Sequence, residues 1–537
     1  MTNEKFSKLV KLILILCLSL FSIPFAATGV VQAKSILQVV PTTASVVDET
    51  VVVGKAGADE GASRNTVNLP TDLDQFIPMP LPQPRATAER SFSAEGVNRP
   101  VFYKVATGKE TVLGLRSTVK NSFDTHRISS AGREPSGNGR DFGDPPELEY
   151  LTDLIRIENN QDYPWRAFVK VYLTFPYGKY VCSGTLIKPN HVITAGHCVH
   201  EGSGGSWADG IIVVPGYKDG WQPYGAANAV SYLSWQGWTV DGSFDHDIGV
   251  IRLDRNIGAV VGWHSYGYTN DWSWYGSTLF ELAGYPAGYP YSGRYLYYQY
   301  GYYDYWWTDH QLGYYNLSYG GQSGSGSYYY DGSARYVYAV LSNGNFYLTN
   351  HPIITENKFY DIHYWMESGS AGFDLTPLGV IAKPLETSDD RQMEMAYIAH
   401  NASSASWSGT VMASVYVSKN ENISASDTLI QKHSFKADFG PWSSVEVKVP
   451  LVSIPESAAK GIYYLGVILD IDDGDVRNND SDGQDAAKVA LVKGLGDVLE
   501  TLTYFRFFHY GLTKSADTVP FRISLCPDLF SLYSPIC

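Results

Sequence analysis

The stretch Thr194-Ala195-Gly196-His197-Cys198-Val199 follows an apolar run, His191-Val192-Ile193, and a second cysteine stands upstream at Cys182. The apolar run reads as a short strand, and a histidine at a strand end, braced by a disulfide, is well placed to act as a general base. Such a histidine needs a carboxylate behind it, a nucleophile in front of it and a compartment in which the disulfide survives.

The carboxylate lies in Phe244-Asp245-His246-Asp247-Ile248-Gly249-Val250-Ile251-Arg252-Leu253. An aspartate that abuts an apolar strand can be buried with its oxygens inward, where it accepts from the histidine Nδ1–H and stabilises the imidazolium. Asp247 is the candidate and Asp245 its rival; either also suits an ordinary turn. The nucleophile lies in Gly320-Gly321-Gln322-Ser323-Gly324-Ser325-Gly326. Glycines on both sides let the backbone turn tightly and aim amide N–H groups at a developing oxyanion. Ser323 would pass its proton to His197 as it attacks an acyl carbon. Alone, such a heptad is more often a flexible Gly/Ser loop. The joint occurrence of histidine, aspartate and serine, each in the context its role requires, carries the weight.

The compartment follows from the N-terminus. Lys5, Lys8 and Lys11 precede an apolar segment, residues 12–25, and Val31-Gln32-Ala33 offers a small-residue cleavage site. Residues 1–33 read as a signal peptide, too short and too broken by Pro24 for a stable membrane span. The chain has five cysteines, and removal of Cys17 leaves four: Cys182, Cys198, Cys526 and Cys537. An even count in an exported chain reads as disulfides. Three pairings exist, and sequence locality favours Cys182–Cys198 with Cys526–Cys537. No cysteine cluster has zinc spacing. The net charge of −15 argues against nucleic acid or an anionic membrane as partner.

At 537 residues several domains are expected. Residues 34–146 are poor in aromatics and punctuated by Pro78, Pro80, Pro82 and Pro84, and read as a propeptide. From Trp165 the pattern alternates, with Ala167, Val169, Val171, Leu173 and Phe175 on one face of a half-buried strand. Further short strands follow at 183–187, 191–194, 210–215, 248–253, 279–283 and 336–341, then a helix over 354–366. Residues 147–369 therefore read as a β-domain, with a small-residue joint at 368–372. A second strand rhythm over 373–492 suits an immunoglobulin-like β-sandwich. Residues 493–537 form a tail with the last cysteine pair. The aromatic run 289–315 reads as core and pocket rim rather than a carbohydrate platform.

Asp470, Asp472, Asp473, Asp475, Asp480, Asp482 and Asp485 crowd one loop of the sandwich. Calcium is the cofactor such oxygens would take, but the spacing is not that of an EF-hand, and a solvated acidic turn is the plainer reading. No other metal site or cofactor is expected.

The Thr-Ala-Gly-His-Cys, His-Asp-Ile-Gly-Val-Ile-Arg-Leu and Gly-Gly-Gln-Ser-Gly-Ser motifs resemble those of chymotrypsin-fold serine peptidases, nearest to the bacterial glutamyl endopeptidase branch. Tyr163-Pro164-Trp165-Arg166-Ala167, Gly284-Tyr285-Pro286 and Ala339-Val340-Leu341-Ser342-Asn343-Gly344 extend the likeness. The resemblance implies an all-β fold of two perpendicular six-stranded β-barrels, followed here by the immunoglobulin-like sandwich. It implies that His197 is general base then acid, that Asp247 orients it and that Ser323 is the nucleophile, with the N–H groups of Gly321 and Ser323 as oxyanion hole. It also implies that Cys182–Cys198 braces the histidine loop. The substrate pocket falls on Ser318, Leu341, Ser342 and Gly344. The branch carries histidine where this chain has Leu341, which sets the implied preference for Glu or Asp against the residues present.

Residues 374–492 resemble CARDB-type sandwich modules through Val415-Tyr416-Val417-Ser418 and Gly461-Ile462-Tyr463-Tyr464-Leu465-Gly466-Val467. The expectation is a secreted, extracellular, monomeric serine endopeptidase acting on protein and peptide substrates. Its propeptide would serve as intramolecular inhibitor or chaperone, with maturation near Glu147. The alternative is a secreted adhesion or binding protein with a non-catalytic peptidase-like domain.

Overall fold

The strand Phe168–Phe175 shows how the sequence builds its first core. Val169, Val171, Leu173 and Phe175 pack into one hydrophobic cluster, while Phe168 and Tyr172 enter another. The alternation is present, yet the strand is buried almost throughout rather than half-buried, because its second face is also covered.

In this computed structural model the described residues are 75–79, 99–113, 154–344, 348–367, 372–385, 391–474 and 478–491. The expected signal peptide, the tail with Cys526 and Cys537, the joint at 368–371, Asp475 and most of 34–146 lie outside them.

Six antiparallel strands close on themselves in the order Gly249–Leu253, His191–Thr194, Gly178–Lys188, Phe168–Phe175, Gly210–Pro215 and Ala227–Trp235, whose last member pairs back to the first. This closed barrel leaves no free edge along most of its length. Two pieces of the expected propeptide are added to it. The hairpin Pro100–Lys104 and Lys109–Val112 pairs with Ala227–Trp235, and Ile77–Pro78 pairs in parallel with Gly178–Lys188.

The second half has a six-stranded sheet ordered Ser265–Tyr266, Arg335–Val340, Gly326–Tyr330, Phe280–Gly284, Tyr297–Gly301 and Ile155–Arg156. A four-stranded sheet holds Tyr305–Thr308, Gln311–Tyr314, Thr349–Pro352 and Asn343–Gly344. A bridge between Ala339 and Ile353 joins the two. Aromatic side chains fill this half: Tyr275, Phe280, Tyr303 and Tyr338 share one cluster, whereas Tyr289, Tyr300 and Tyr302 are exposed.

The expected helix is Glu356–Glu367, and it buries Ile362, Trp365 and Met366. It also buries Lys358, a charge that an apolar periodicity does not foresee. Among the described residues no helix is long and apolar enough to cross a membrane.

The C-terminal region is a sandwich of three strands (Leu375–Pro384, Gln392–Asn401, Ser444–Ser453) facing four (Thr428–Phe439, Trp407–Ser418, Gly461–Asp470, Ala487–Leu491). Alternate residues of both sheets, such as Met395, Tyr397, Val411, Ala413, Val415 and Val467, share one core. The sandwich is joined to the first barrel, since Leu378 and Ile398 enter the barrel's own cluster beside Ile257, Val260 and Val261.

Candidate functional site

The register of two strands brings His197 and Asp247 together. Gly249 pairs with Thr194 and Val250 with Ile193, so the residues just before one strand meet those just after the other. His197 lies in the turn Gly196–Cys198 that leaves His191–Thr194. Its backbone N–H donates to Asp247 Oδ1 at 2.6 Å, and its Nδ1 lies 2.8 Å from Asp247 Oδ2. Both side chains are fully buried. A buried carboxylate needs its lone pairs satisfied, and Asp247 takes a further bond from Ser342 Oγ at 2.5 Å. The rival Asp245 is engaged elsewhere, accepting from Thr308 Oγ1 at 2.5 Å and Gln311 Nε2 at 2.7 Å.

The Cys182–Cys198 disulfide is present, with an S–S length of 2.02 Å. It ties the turn carrying His197 to the strand Gly178–Lys188. That strand also holds the serine loop, since the Ser183 N–H donates to the Ser323 carbonyl at 2.8 Å and Ser183 Oγ to the Gly321 carbonyl at 2.8 Å.

Ser323 stands between two left-handed glycines, Gly321 at φ +96° and Gly324 at φ +85°. A Cβ at Gly321 would lie 2.7 Å from the Tyr285 carbonyl, and one at Gly324 would lie 2.0 Å from Thr194 Oγ1. Only glycine fits either position. The Gly320 carbonyl accepts from the N–H groups of Ala287 and Gly288, which fixes the peptide ahead of Gly321. The N–H groups of Gly321 and Ser323 have no acceptor among the described residues. Two unspent donors on a rigid loop are what a developing oxyanion requires.

The pocket residues separate on inspection. Gly344 and Ser318 face each other, a Cβ at Gly344 falling 3.1 Å from Ser318 Oγ. Leu341 is buried, and its backbone pairs with Gly324 and Ser325. Ser342 has a second contact that the pocket expectation does not include: its hydroxyl donates to Asp247 and so helps to hold the carboxylate.

Lys358 is the residue missed in the sequence. Its Nζ donates to the Asp245 carbonyl at 2.6 Å, supporting the turn that ends at Asp247. Burial pulls its pKa down to about 7, while the nearby Asp245, Asp247 and Asp361 oppose that pull. A lysine one turn after Ile354 and one turn before Ile362 was the available signal.

Three carboxylates of the acidic loop are engaged in structural bonds. Asp473 accepts from the Leu375 N–H, Asp482 from the Ile423 N–H, and Asp485 from Arg255 and the Gly379 N–H. Asp473, Asp482 and Asp485, bonded in this way to protein donors, are already engaged without an ion.

One group of metal-type side chains lies close together among the described residues, Cys182, His197 and Cys198. Its two sulfurs are joined in the disulfide, and His197 Nδ1 faces Asp247. A bonded sulfur is no thiolate, so this group does not fit a metal ion.

A family model described as Trypsin matches residues 155–285. The chain is 31% identical over 233 residues to the "Extracellular metalloprotease" of Bacillus subtilis (strain 168), covering 41% of this chain and 70% of that protein. It is 37% identical over 135 residues to the "Glutamyl endopeptidase" of Bacillus licheniformis, 25% of this chain and 40% of that protein. Among solved structures, a Glu endopeptidase in complex with MPD shares 24% identity and covers 40% of this chain and 98% of that one, with a TM-score of 0.35. The Trypsin match spans the barrel that presents His197 and Asp247, and the Bacillus subtilis likeness runs over 70% of that relative: the chain belongs to the trypsin family of chymotrypsin-fold serine peptidases and is a serine endopeptidase.

Proposed function

We propose that His197, Asp247 and Ser323 form the catalytic triad of an exported endopeptidase. Ser323 Oγ attacks the scissile carbonyl carbon and gives its proton to His197 Nε2. The carbonyl oxygen becomes an oxyanion held by the N–H groups of Gly321 and Ser323. His197 then protonates the leaving amine, the C–N bond breaks and the acyl group stays on Ser323. Water repeats the sequence and releases the acid. Asp247, fixed by Ser342 and by the His197 backbone N–H, sets the imidazole tautomer and stabilises the imidazolium.

The observation that carries this reading is the buried Asp247–His197 pair together with the unspent N–H donors of Gly321 and Ser323. A metal-assisted route, which the printed name of the Bacillus subtilis relative would suggest, finds no ligand set in the Cys182, His197 and Cys198 group.

The leaving-group chemistry sets the test. Ser323→Ala should remove cleavage of peptide libraries and fluorophosphonate labelling, with a loss on the order of 10³-fold or more in kcat. Equal cleavage by wild type and Ser323→Ala would sink the assignment.

Substrates are proteins and peptides. In the pocket Ser318 supplies a hydroxyl and Leu341 an apolar wall, so an acidic P1 side chain meets one neutral donor and no histidine at position 341. We infer acceptance of Glu with weak discrimination from Gln, less than about tenfold either way, since both side chains present an oxygen to the same hydroxyl donor. Measured P1 profiles decide this. The signal-like sequence of residues 1–33, the disulfide at Cys182–Cys198 and the printed name of the extracellular relative together support secretion. The sandwich is read as an accessory, substrate- or surface-contacting module, and residues 34–146 as a propeptide.

A further inference from the structure

One edge of the strand Gly178–Lys188 runs up to Ser323, and residues 75–79 lie along it. Ile77 and Pro78 pair in parallel with Tyr180 and Val181, and the Met79 N–H donates to the Val181 carbonyl at 3.2 Å. Phe76 meets Tyr172 edge-on at 5.1 Å, and Lys179 Nζ donates to Gln75 Oε1 at 3.2 Å. Met79 is 6% exposed and packs in the cluster that contains Cys182 and Cys198, the disulfide beside His197. Pro78 sits on Gly320, where an added Cβ would come within 2.8 Å of the Pro78 Cβ. Gly320 immediately precedes the proposed oxyanion donor Gly321.

The site beside this segment is covered. His197 has no exposed surface, and Ser323 is 2% exposed. His197 Nε2, the nitrogen that must face the nucleophile, is buried with no partner among the described residues. An endopeptidase has to admit a chain on both sides of its nucleophile. A serine covered to this degree cannot do so until something moves aside.

The same N-terminal region is anchored elsewhere on the barrel. The hairpin formed by Pro100–Lys104 and Lys109–Val112 pairs with Ala227–Trp235 through five residues of its inner strand, Pro100 to Trp235 and Lys104 to Ser231 at the ends. Val101 is fully buried in the barrel core, and Trp207 Nε1 donates to Glu110 Oε2 at 2.8 Å. A plug tethered in this way meets its groove at an effective concentration on the order of millimolar, so even modest contacts keep it seated.

We infer that the groove along Tyr180–Val181 and Gly320 is a peptide-binding surface, and that residues 75–79 of this chain occupy it as a plug that blocks the site. The inference rests on Ser323 being the nucleophile. Cleavage near residue 147 would sever the chain without touching either contact. The released segment therefore stays bound until it unfolds or is digested, and activity appears later than the cut.

The test uses the full exported chain, kept unprocessed and verified by intact mass, with an internally quenched peptide that extends on both sides of its scissile bond. Phe76→Ala/Met79→Ala should cleave it at least about tenfold faster than unprocessed wild type, the scale on which a tethered contact of a few residues acts. Equal rates overturn the plug. If the double variant fails to fold, a synthetic peptide of residues 72–82 added to processed enzyme decides. Inhibition competitive with substrate supports the plug, and none at millimolar peptide overturns it. Fluorophosphonate labelling separates the two levels. Processed enzyme that is active and labelled beside an equally active unprocessed chain removes the plug alone. Processed enzyme that is inert and unlabelled removes the Ser323 assignment, and the plug with it.

Discussion

Lys358 lies beneath the Asp247 turn and bonds only to backbone oxygens there, the Asp245 carbonyl at 2.6 Å and the Ile353 carbonyl at 3.4 Å. It is a positioning residue, and its proton gives it a pH signature. The folded pKa is lowered to about 7 from 10.5, first by burial. Between those values the unfolded chain holds a proton that the folded chain has released, so this lysine makes stability rise with pH across that window and contributes least below about pH 7. Lys358→Met should abolish that rise and leave a buried carbonyl unsatisfied, at a cost of about 1–3 kcal/mol. Urea midpoints for wild type and variant near pH 7 and near pH 10 check this: the wild-type advantage should widen at the higher pH, and a constant difference would show that Lys358 does not titrate there. The same variant should lower kcat more than it changes KM, because it loosens the Asp247 turn and not the pocket. The pairing of His197 with Asp247 was legible because each sits in a motif whose local context implies the other. Lys358 and Ser342 were not. Their contacts run from helix to turn and from one half of the domain to the other, which only the folded register brings about.

Among the elements, the turn Gly196–Cys198 depends most on a single bond. Cys182 and Cys198 are separated by 16 residues, and closing a loop of that size is worth about 3 kcal/mol in the loop-entropy account. Cys182→Ser/Cys198→Ser should therefore lower the unfolding free energy by about 3 kcal/mol. Because Cys198 directly follows His197, kcat should also fall, while the P1 profile, proposed to depend on Ser318 and Leu341, should not change. Thermal melts and peptide-library kinetics read the two effects separately. Five of the six barrel strands were legible, Phe168–Phe175 from its alternation and the others as short apolar runs, whereas Ala227–Trp235 was not; the helix Glu356–Glu367 was legible from its apolar spacing. The strands Ile77–Pro78 and Pro100–Lys104 were not, because the segment, read as a propeptide, is poor in aromatics and rich in proline and shows no strand pattern. Val101 and Phe102 find their partners on Ala227–Trp235, more than a hundred residues away, and no local pattern announces such a pairing.

At the scale of the molecule, the sandwich is joined to the peptidase through a buried ion pair as well as an apolar contact. Asp485 accepts from Arg255 Nε at 2.7 Å and Nη2 at 2.6 Å, and from the Gly379 N–H at 2.8 Å. The side chains are 7% and 1% exposed. Gln484 Oε1 adds a bond from the Ala226 N–H at 2.6 Å. The sequence placed these residues in an acidic loop that looked solvated. Only docking against Arg255 explains why Asp485 is buried. Removing one partner of such a pair strands the other charge, which costs about 3–5 kcal/mol, whereas replacing both with apolar residues is often close to neutral. Asp485→Ala should therefore lower the melting temperature sharply, and Arg255→Leu/Asp485→Leu should recover most of it. The contact lies at Arg255 and Ala226, not at the triad, so kcat/KM measured well below the melting temperature should stay near wild type in both variants. If the sandwich were an independent module on a flexible joint, Asp485→Ala would leave the peptidase's melting transition where it was. Coincident loss of activity and of sandwich structure on heating, in wild type and at a lower temperature in Asp485→Ala, is the outcome the shared core of Leu378, Ile398 and Val260 requires.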